Sequence, residues 1–85
     1  MTEVIIYTKK ICPYCVNAKA FLARKQLNNI KEIDIEGNES LRDEMIAKAG
    51  GRRTVPQIFV NGHHIGGYDD MVALDQAGKF DELCK

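Results

Sequence analysis

The sequence lacks several features that would place it in a specialised class. No apolar stretch approaches the roughly 20 residues that a membrane-spanning helix needs. Neither sign of charge is in excess: 12 Lys and Arg balance 12 Asp and Glu. Nothing therefore marks nucleic acid or an anionic membrane as a main partner. There are only three cysteines, an odd count that excludes a secreted framework of several disulfide pairs. There is no internal repeat, no linker and no low-complexity tract. The first residues carry Glu3 and a short apolar run, unlike a signal peptide, so a reducing cytoplasm is the expected compartment. With 85 residues, the expectation is one small domain over residues 1–85, with one core and no second deep pocket.

What the chain does have is a regular succession of elements. Glu3 to Thr8 reads as a strand of β-branched and aromatic residues. Val16, Ala20, Ala23 and Leu27 recur at helical spacing, predicting a helix from about Pro13 to Gln26 on that stripe. Ile30 to Ile35 alternates as a second strand. Asn38 or Ser40 should cap the next helix, with Ser40-x-x-Asp43 approximating a capping box. Leu41, Met45 and Ala49 form its stripe, and Gly50-Gly51 should end it. Gln57 to Val60 is a third strand, Asn61-Gly62 a hairpin turn and His64 to Gly66 a fourth strand. Asp69 or Asp70 should cap a helix through Met71 to Ala77, with a last short helix over Lys79 to Leu83. The implied class is α/β: a four-stranded mixed sheet, ordered βαβ-α-ββ-α and flanked by helices. Its βαβ unit requires two parallel strands and a right-handed crossover. Tyr7, Phe21 and Phe59 are expected in the core, and His63 and His64 in solvent.

The chemistry is concentrated in Cys12-Pro13-Tyr14-Cys15. A C-x-x-C at a strand-to-helix junction is a thiol–disulfide redox centre in a reducing compartment. Pro13 suits the first helical position, where its missing N–H costs nothing. That puts Cys12 at the N-cap, beside free backbone donors and the positive end of the helix dipole. Cys15 falls one turn inside. Cys12 is thus the attacking sulfur and Cys15 the resolving one. A thiolate abundant at neutral pH needs roughly 3.4 kcal/mol of stabilisation. A helix terminus offers about 0.3–1 kcal/mol, or ~2 at best. Direct N–H bonds to sulfur and the nearby Lys9 must supply the rest. A zinc site assembled from Cys12, Cys15, Cys84 and His63 or His64 matches no common finger spacing, so no metal is expected. Cys84 is read as incidental.

Lys9, Cys12-Pro13-Tyr14-Cys15, Thr54-Val55-Pro56 and Gly66-Gly67-Tyr68-Asp69-Asp70 together resemble the dithiol glutaredoxins, in order and spacing and over nearly the whole chain. The resemblance implies a thioredoxin-like fold, a cis Pro56 and a glutathione-dependent disulfide reductase serving cell redox homeostasis. It implies glutathione contacts from Lys9, Tyr14, Thr54, Val55, Pro56, Gly67, Tyr68 and Asp69. In that reading Val55 pairs with the guest backbone as a short added strand. The γ-glutamyl carboxylate meets N–H groups at Tyr68 and Asp69, and the Asp69 side chain takes the amine. Lys9 takes the glycyl carboxylate, helped by Arg42 and Arg53. Many relatives carry Cys where this chain has Tyr68, which bears on the shape of the γ-glutamyl pocket.

The resemblance further implies a monomer acting on disulfide-containing or glutathionylated proteins, with ribonucleotide reductase a family-level candidate, and with no nucleic-acid or membrane partner. Two alternatives share the C-x-x-C: a redoxin fed by a thioredoxin reductase, and an iron–sulfur carrier bridging two subunits. Pro13 stiffens the loop against the second.

Overall fold

The β-branched run at the start of the chain forms an inner strand of the sheet. In the computed structural model, which describes residues 2–85, β1 (Val4–Thr8) lies between β2 (Ile30–Asp34) and β3 (Gln57–Val60), and β4 (His63–Gly66) forms the other edge. β1 pairs parallel to β2, with Val4 opposite Ile30, and antiparallel to β3, with Val4 opposite Val60. β3 and β4 make the expected hairpin, with an irregularity between Ile58 and Phe59. Asn61 and Gly62 turn it with φ of 50° and 83°, the positive angles that a tight hairpin requires. The mixed four-stranded sheet of the α/β expectation is present.

Helices cover both faces, so the inner strands are apolar on both sides. Val4, Ile6, Ile58 and Val60 point to one face. There they pack with Ala18, Phe21 and Leu22 of α1 (Pro13–Arg24), Met71 of α3 (Tyr68–Gln76) and Phe80 of α4 (Phe80–Leu83). Tyr7 and Phe59 point to the other face, against Met45 of α2 (Glu39–Lys48), Ile35 and Ala49. Tyr7, Phe21 and Phe59 are core residues as expected. The Tyr7 hydroxyl donates to Glu44 Oε2 at 2.8 Å. Burial first, and then that carboxylate, push its pKa up to about 12.

Several local expectations are corrected. The face of α1 is rotated: Cys15, Ala18, Phe21 and Leu22 are buried, whereas Val16 is 60% exposed and Ala20 and Ala23 face solvent. The helix docks on the rows that bring Cys15 inward, and these share the period of the expected stripe but not its phase. It also stops at Arg24, because Gln26 adopts a φ of 60°. Asn38 is the cap of α2, accepting from Leu41 N–H at 3.1 Å, and Ser40 only donates to the same Asn38 oxygen. α3 starts two or three residues earlier than expected, with Gly67 as N-cap. Asp70 reaches back to accept the Gly67 N–H at 2.8 Å, while Asp69 caps nothing. His63 and His64 are exposed as expected, and His64 in addition places its Nε2 2.8 Å from Gln57 Oε1 and tilts its ring against Phe59.

Candidate active site

The β1–α1 connection delivers the two cysteines. Cys12 is the N-cap residue in extended backbone, with Pro13 at the first helical position, as the proline argument requires. The Cys12 carbonyl accepts from Val16 N–H at 3.1 Å, and its sulfur lies 3.1 Å from the Cys15 backbone nitrogen. Cys12 and Cys15 are joined as a disulfide across a Cα–Cα distance of 5.1 Å. The sulfurs are unequal in access: Cys15 is 2% exposed, whereas Cys12 is only partly covered. Once the bond opens, the N-cap sulfur faces the Cys15 N–H and the positive end of α1, both of which stabilise a thiolate.

Beside the disulfide runs a groove of about 240 Å³, lined by Tyr14, Arg52, Thr54, Val55, Pro56, Gly67, Tyr68, Asp69 and Asp70. One wall is the segment entering β3. Val55 lies just before the ladder, its carbonyl oxygen 3.9 Å from Cys12 Sγ, and the Val55–Pro56 peptide is cis. Behind this wall the fully buried Gln57 donates from Nε2 to the Thr54 carbonyl and hydroxyl at 3.0 and 3.2 Å. The other wall is the first turn of α3. The rings of Tyr14 and Tyr68, with centroids 6.3 Å apart, close one end.

The structure thus gathers Tyr14, Thr54, Val55, Pro56, Gly67, Tyr68 and Asp69 along one groove. Lys9 is placed elsewhere: it is exposed and lines a separate depression with Arg42, Glu36 and Glu39. Arg53 is exposed and does not line the groove. Two lining residues were not singled out as contacts by the sequence. Arg52 pairs with Asp70 through Nη1–Oδ2 at 2.9 Å. The Gly67 N–H, and after it Arg52, hold the Asp70 carboxyl below its ordinary pKa. No local signal marks this pair, because Arg52 precedes Asp70 by 18 residues and a second arginine stands next to it. Cys84 is partly buried beside α4, and its carbonyl accepts from the Thr2 hydroxyl. Burial pushes its thiol pKa up. Among the described residues, no group of three or more His, Cys, Asp or Glu could hold a metal ion, and no helix is long and apolar enough to cross a membrane.

A disulfide with one accessible sulfur, next to a groove that can hold a short extended peptide, is suited to thiol–disulfide exchange. The glutaredoxin family model matches residues 4–65. The chain belongs to the glutaredoxin family. It is 53% identical to glutaredoxin 3 of Escherichia coli K12 over the whole of both chains. The solution structure of glutaredoxin from Brucella melitensis superposes with a TM-score of 0.84 at 50% identity, covering 100% of this chain and 90% of that one. A buckwheat glutaredoxin–glutathione complex has a TM-score of 0.85 at 23% identity, covering 98% of this chain and 76% of that one, and shares the fold. As a glutaredoxin the chain is a thiol–disulfide oxidoreductase with a thioredoxin-like fold, and it carries the Cys12–Cys15 pair.

Proposed function

We propose that this glutaredoxin uses glutathione to reduce protein disulfides and protein–glutathione mixed disulfides, with Cys12 as nucleophile and Cys15 as resolving thiol. In the monothiol route the Cys12 thiolate attacks the glutathione sulfur of a mixed disulfide. The protein thiolate leaves and takes up a proton. A second glutathione thiolate then attacks the Cys12–glutathione bond, releasing oxidised glutathione and the Cys12 thiolate. In the dithiol route Cys12 attacks a protein disulfide, and Cys15 displaces the protein to form the Cys12–Cys15 bond. Two glutathiones reduce that bond in turn. Glutathione reductase with NADPH returns the oxidised glutathione, by analogy with the family. Residues 1–85 act as one unit, as a monomer in the cytoplasm.

The observation that carries this reading is the groove beside Cys12, with an unladdered Val55 on one side and a helix start on the other. Val55 pairs with the guest backbone, flanked by Thr54 and Pro56. The γ-glutamyl carboxylate sits on the N–H groups of Tyr68 and Asp69 next to Gly67, and Asp69 takes the amine. Tyr14 lies along the mixed disulfide. Lys9 lies outside this groove, exposed on the loop that leads to Cys12, and its long side chain swings toward Cys12 to meet the glycyl carboxylate.

Deglutathionylation kinetics test the roles. Cys12→Ser should abolish both routes. Cys15→Ser should keep deglutathionylation and lose protein-disulfide reduction. Activity retained in Cys12→Ser would sink the assignment. Turnover with thioredoxin reductase but none with glutathione and its reductase would sink the choice of reductant.

A further inference from the structure

Gly66 and Gly67 are more than a chain reversal. A Cβ on Gly66, which has a φ of 111°, would collide with the Asp70 carboxylate and come within 2.6 Å of Arg52 Nη1. One on Gly67 would lie 3.8 Å from Arg52 Nη2 and 3.5 Å from the Pro56 carbonyl. The guanidinium therefore lies over a bare glycine pair, where a side chain at Gly66 would displace it. There it meets the one Asp70 oxygen that also accepts the Gly67 N–H, at 2.9 Å and 2.8 Å respectively. Arg52 belongs to the segment that continues into Thr54-Val55-Pro56, and its own N–H bonds back to the Ala49 carbonyl at 3.3 Å. Asp70 belongs to the first turn of α3. The pair joins the two walls of the groove on side chains that are about half exposed.

We infer that Arg52 is a positioning residue: its pair with Asp70 fixes the spacing between the Val55 wall and the α3 wall, and so sets how tightly the groove holds a glutathionyl group. The inference rests on the proposed function. It assigns Arg52 no part in the sulfur chemistry and no contact with the guest. The contact is one guanidinium N–H on one carboxylate oxygen, and lysine supplies the charge without the planar group that lies over the glycines, so it should restore only part of the effect.

The test is steady-state turnover of a glutathionylated peptide by wild type, Arg52→Gln, Arg52→Lys, Asp70→Asn and the Arg52→Gln/Asp70→Asn double variant. Beside it runs the rate at which dithiothreitol, which has no peptide to place in the groove, reduces Cys12–Cys15. Arg52→Gln should raise KM about two- to fivefold, the range of a partly exposed ion pair, and leave kcat in place. Asp70→Asn keeps an acceptor for the Gly67 N–H but loses the charge, and should raise KM by a similar factor. The double variant should be no worse than the worse single one, Arg52→Lys should recover part of the loss, and the dithiothreitol rate should hold throughout. Additive KM effects overturn the inference. So does a lower KM in Asp70→Asn, which would make Arg52 a ligand released from a competitor. So does a dithiothreitol rate that falls as KM rises. If wild type turns over the peptide and the variants match it, this inference alone fails. If wild type turns over none, the functional reading fails and takes this inference with it.

Discussion

Replacing Gln57 by leucine should loosen the Val55 wall without touching a cysteine. Gln57 is a fully buried polar residue at the first position of β3, and all of its side-chain polar atoms are engaged. Its amide nitrogen serves Thr54 twice, so its oxygen is the acceptor at 2.8 Å from His64 Nε2. That order requires the hydrogen on Nε2 of His64, a ring whose pKa is lowered first by burial and then by the Arg52 charge. Three hydrogen bonds at about 0.5–1.5 kcal/mol each give a loss of ~1.5–4.5 kcal/mol, partly offset by the leucine's apolar burial. A small domain holds roughly 5–15 kcal/mol, so the variant should fold, with a lower urea midpoint and a wild-type slope. KM for a glutathionylated peptide should rise with it. Gln57→Glu provides a second reading, because it keeps the acceptor for His64 but buries a carboxylate without donors for Thr54. Burial raises that acid's folded pKa above its unfolded value. Its stability deficit should therefore shrink below the unfolded pKa and grow as pH rises through the folded one. An unchanged urea midpoint in Gln57→Leu would refute the claim that this amide holds the wall.

Two further outcomes follow from packing and charge. Val16→Lys should move stability by less than about 0.5 kcal/mol, and Leu22→Ala should cost ~2–5 kcal/mol. Denaturant melts giving the reverse order would return α1 to the face that its sequence stripe suggested. Asp70 has a folded pKa below its unfolded one, so its contribution is present above the unfolded value and lost as pH falls through the carboxylate range to the folded pKa. The melting temperature of Asp70→Asn should fall less steeply with acid than that of wild type, and parallel curves would count against the Gly67–Arg52 environment.

Strand identities and sheet connectivity were legible because β-branched runs, Asn61-Gly62 and the Gly-Gly pairs are local signals. The reactive pair was legible for the same reason, since Pro13 fixes where α1 begins. The phase of α1 was not. Two stripes share its period, and Cys15 reads as chemistry although it is also an anchor in the core. The start of α3 was misplaced because an aspartate that caps from the third helical position looks, in one dimension, like an N-cap. Arg52 carries no local signal, because its partner lies 18 residues away and only the fold brings them together. Lys9 shows the converse: its place before Cys12 is evident in sequence, but the depression it lines with Arg42 is not.

The order of the sheet leaves β2 and β4 as its edges. Both are short. β2 carries Lys31, Glu32 and Asp34, with Glu32 held by Lys19 at 3.2 Å and by the Thr8 hydroxyl at 2.7 Å. β4 opens with His63 and His64. Short edges, charged along β2 and polar at the start of β4, discourage another chain from joining the ladder, the first step toward aggregates. A protein that captures peptides by their backbone has to offer unpaired N–H and C=O groups somewhere. Here the groups proposed for that task belong to Val55, outside the ladder and within reach of the disulfide. Self-association through the sheet edges and the proposed capture of a guest at Val55, which call on the same kind of backbone group, thereby fall on different parts of the molecule.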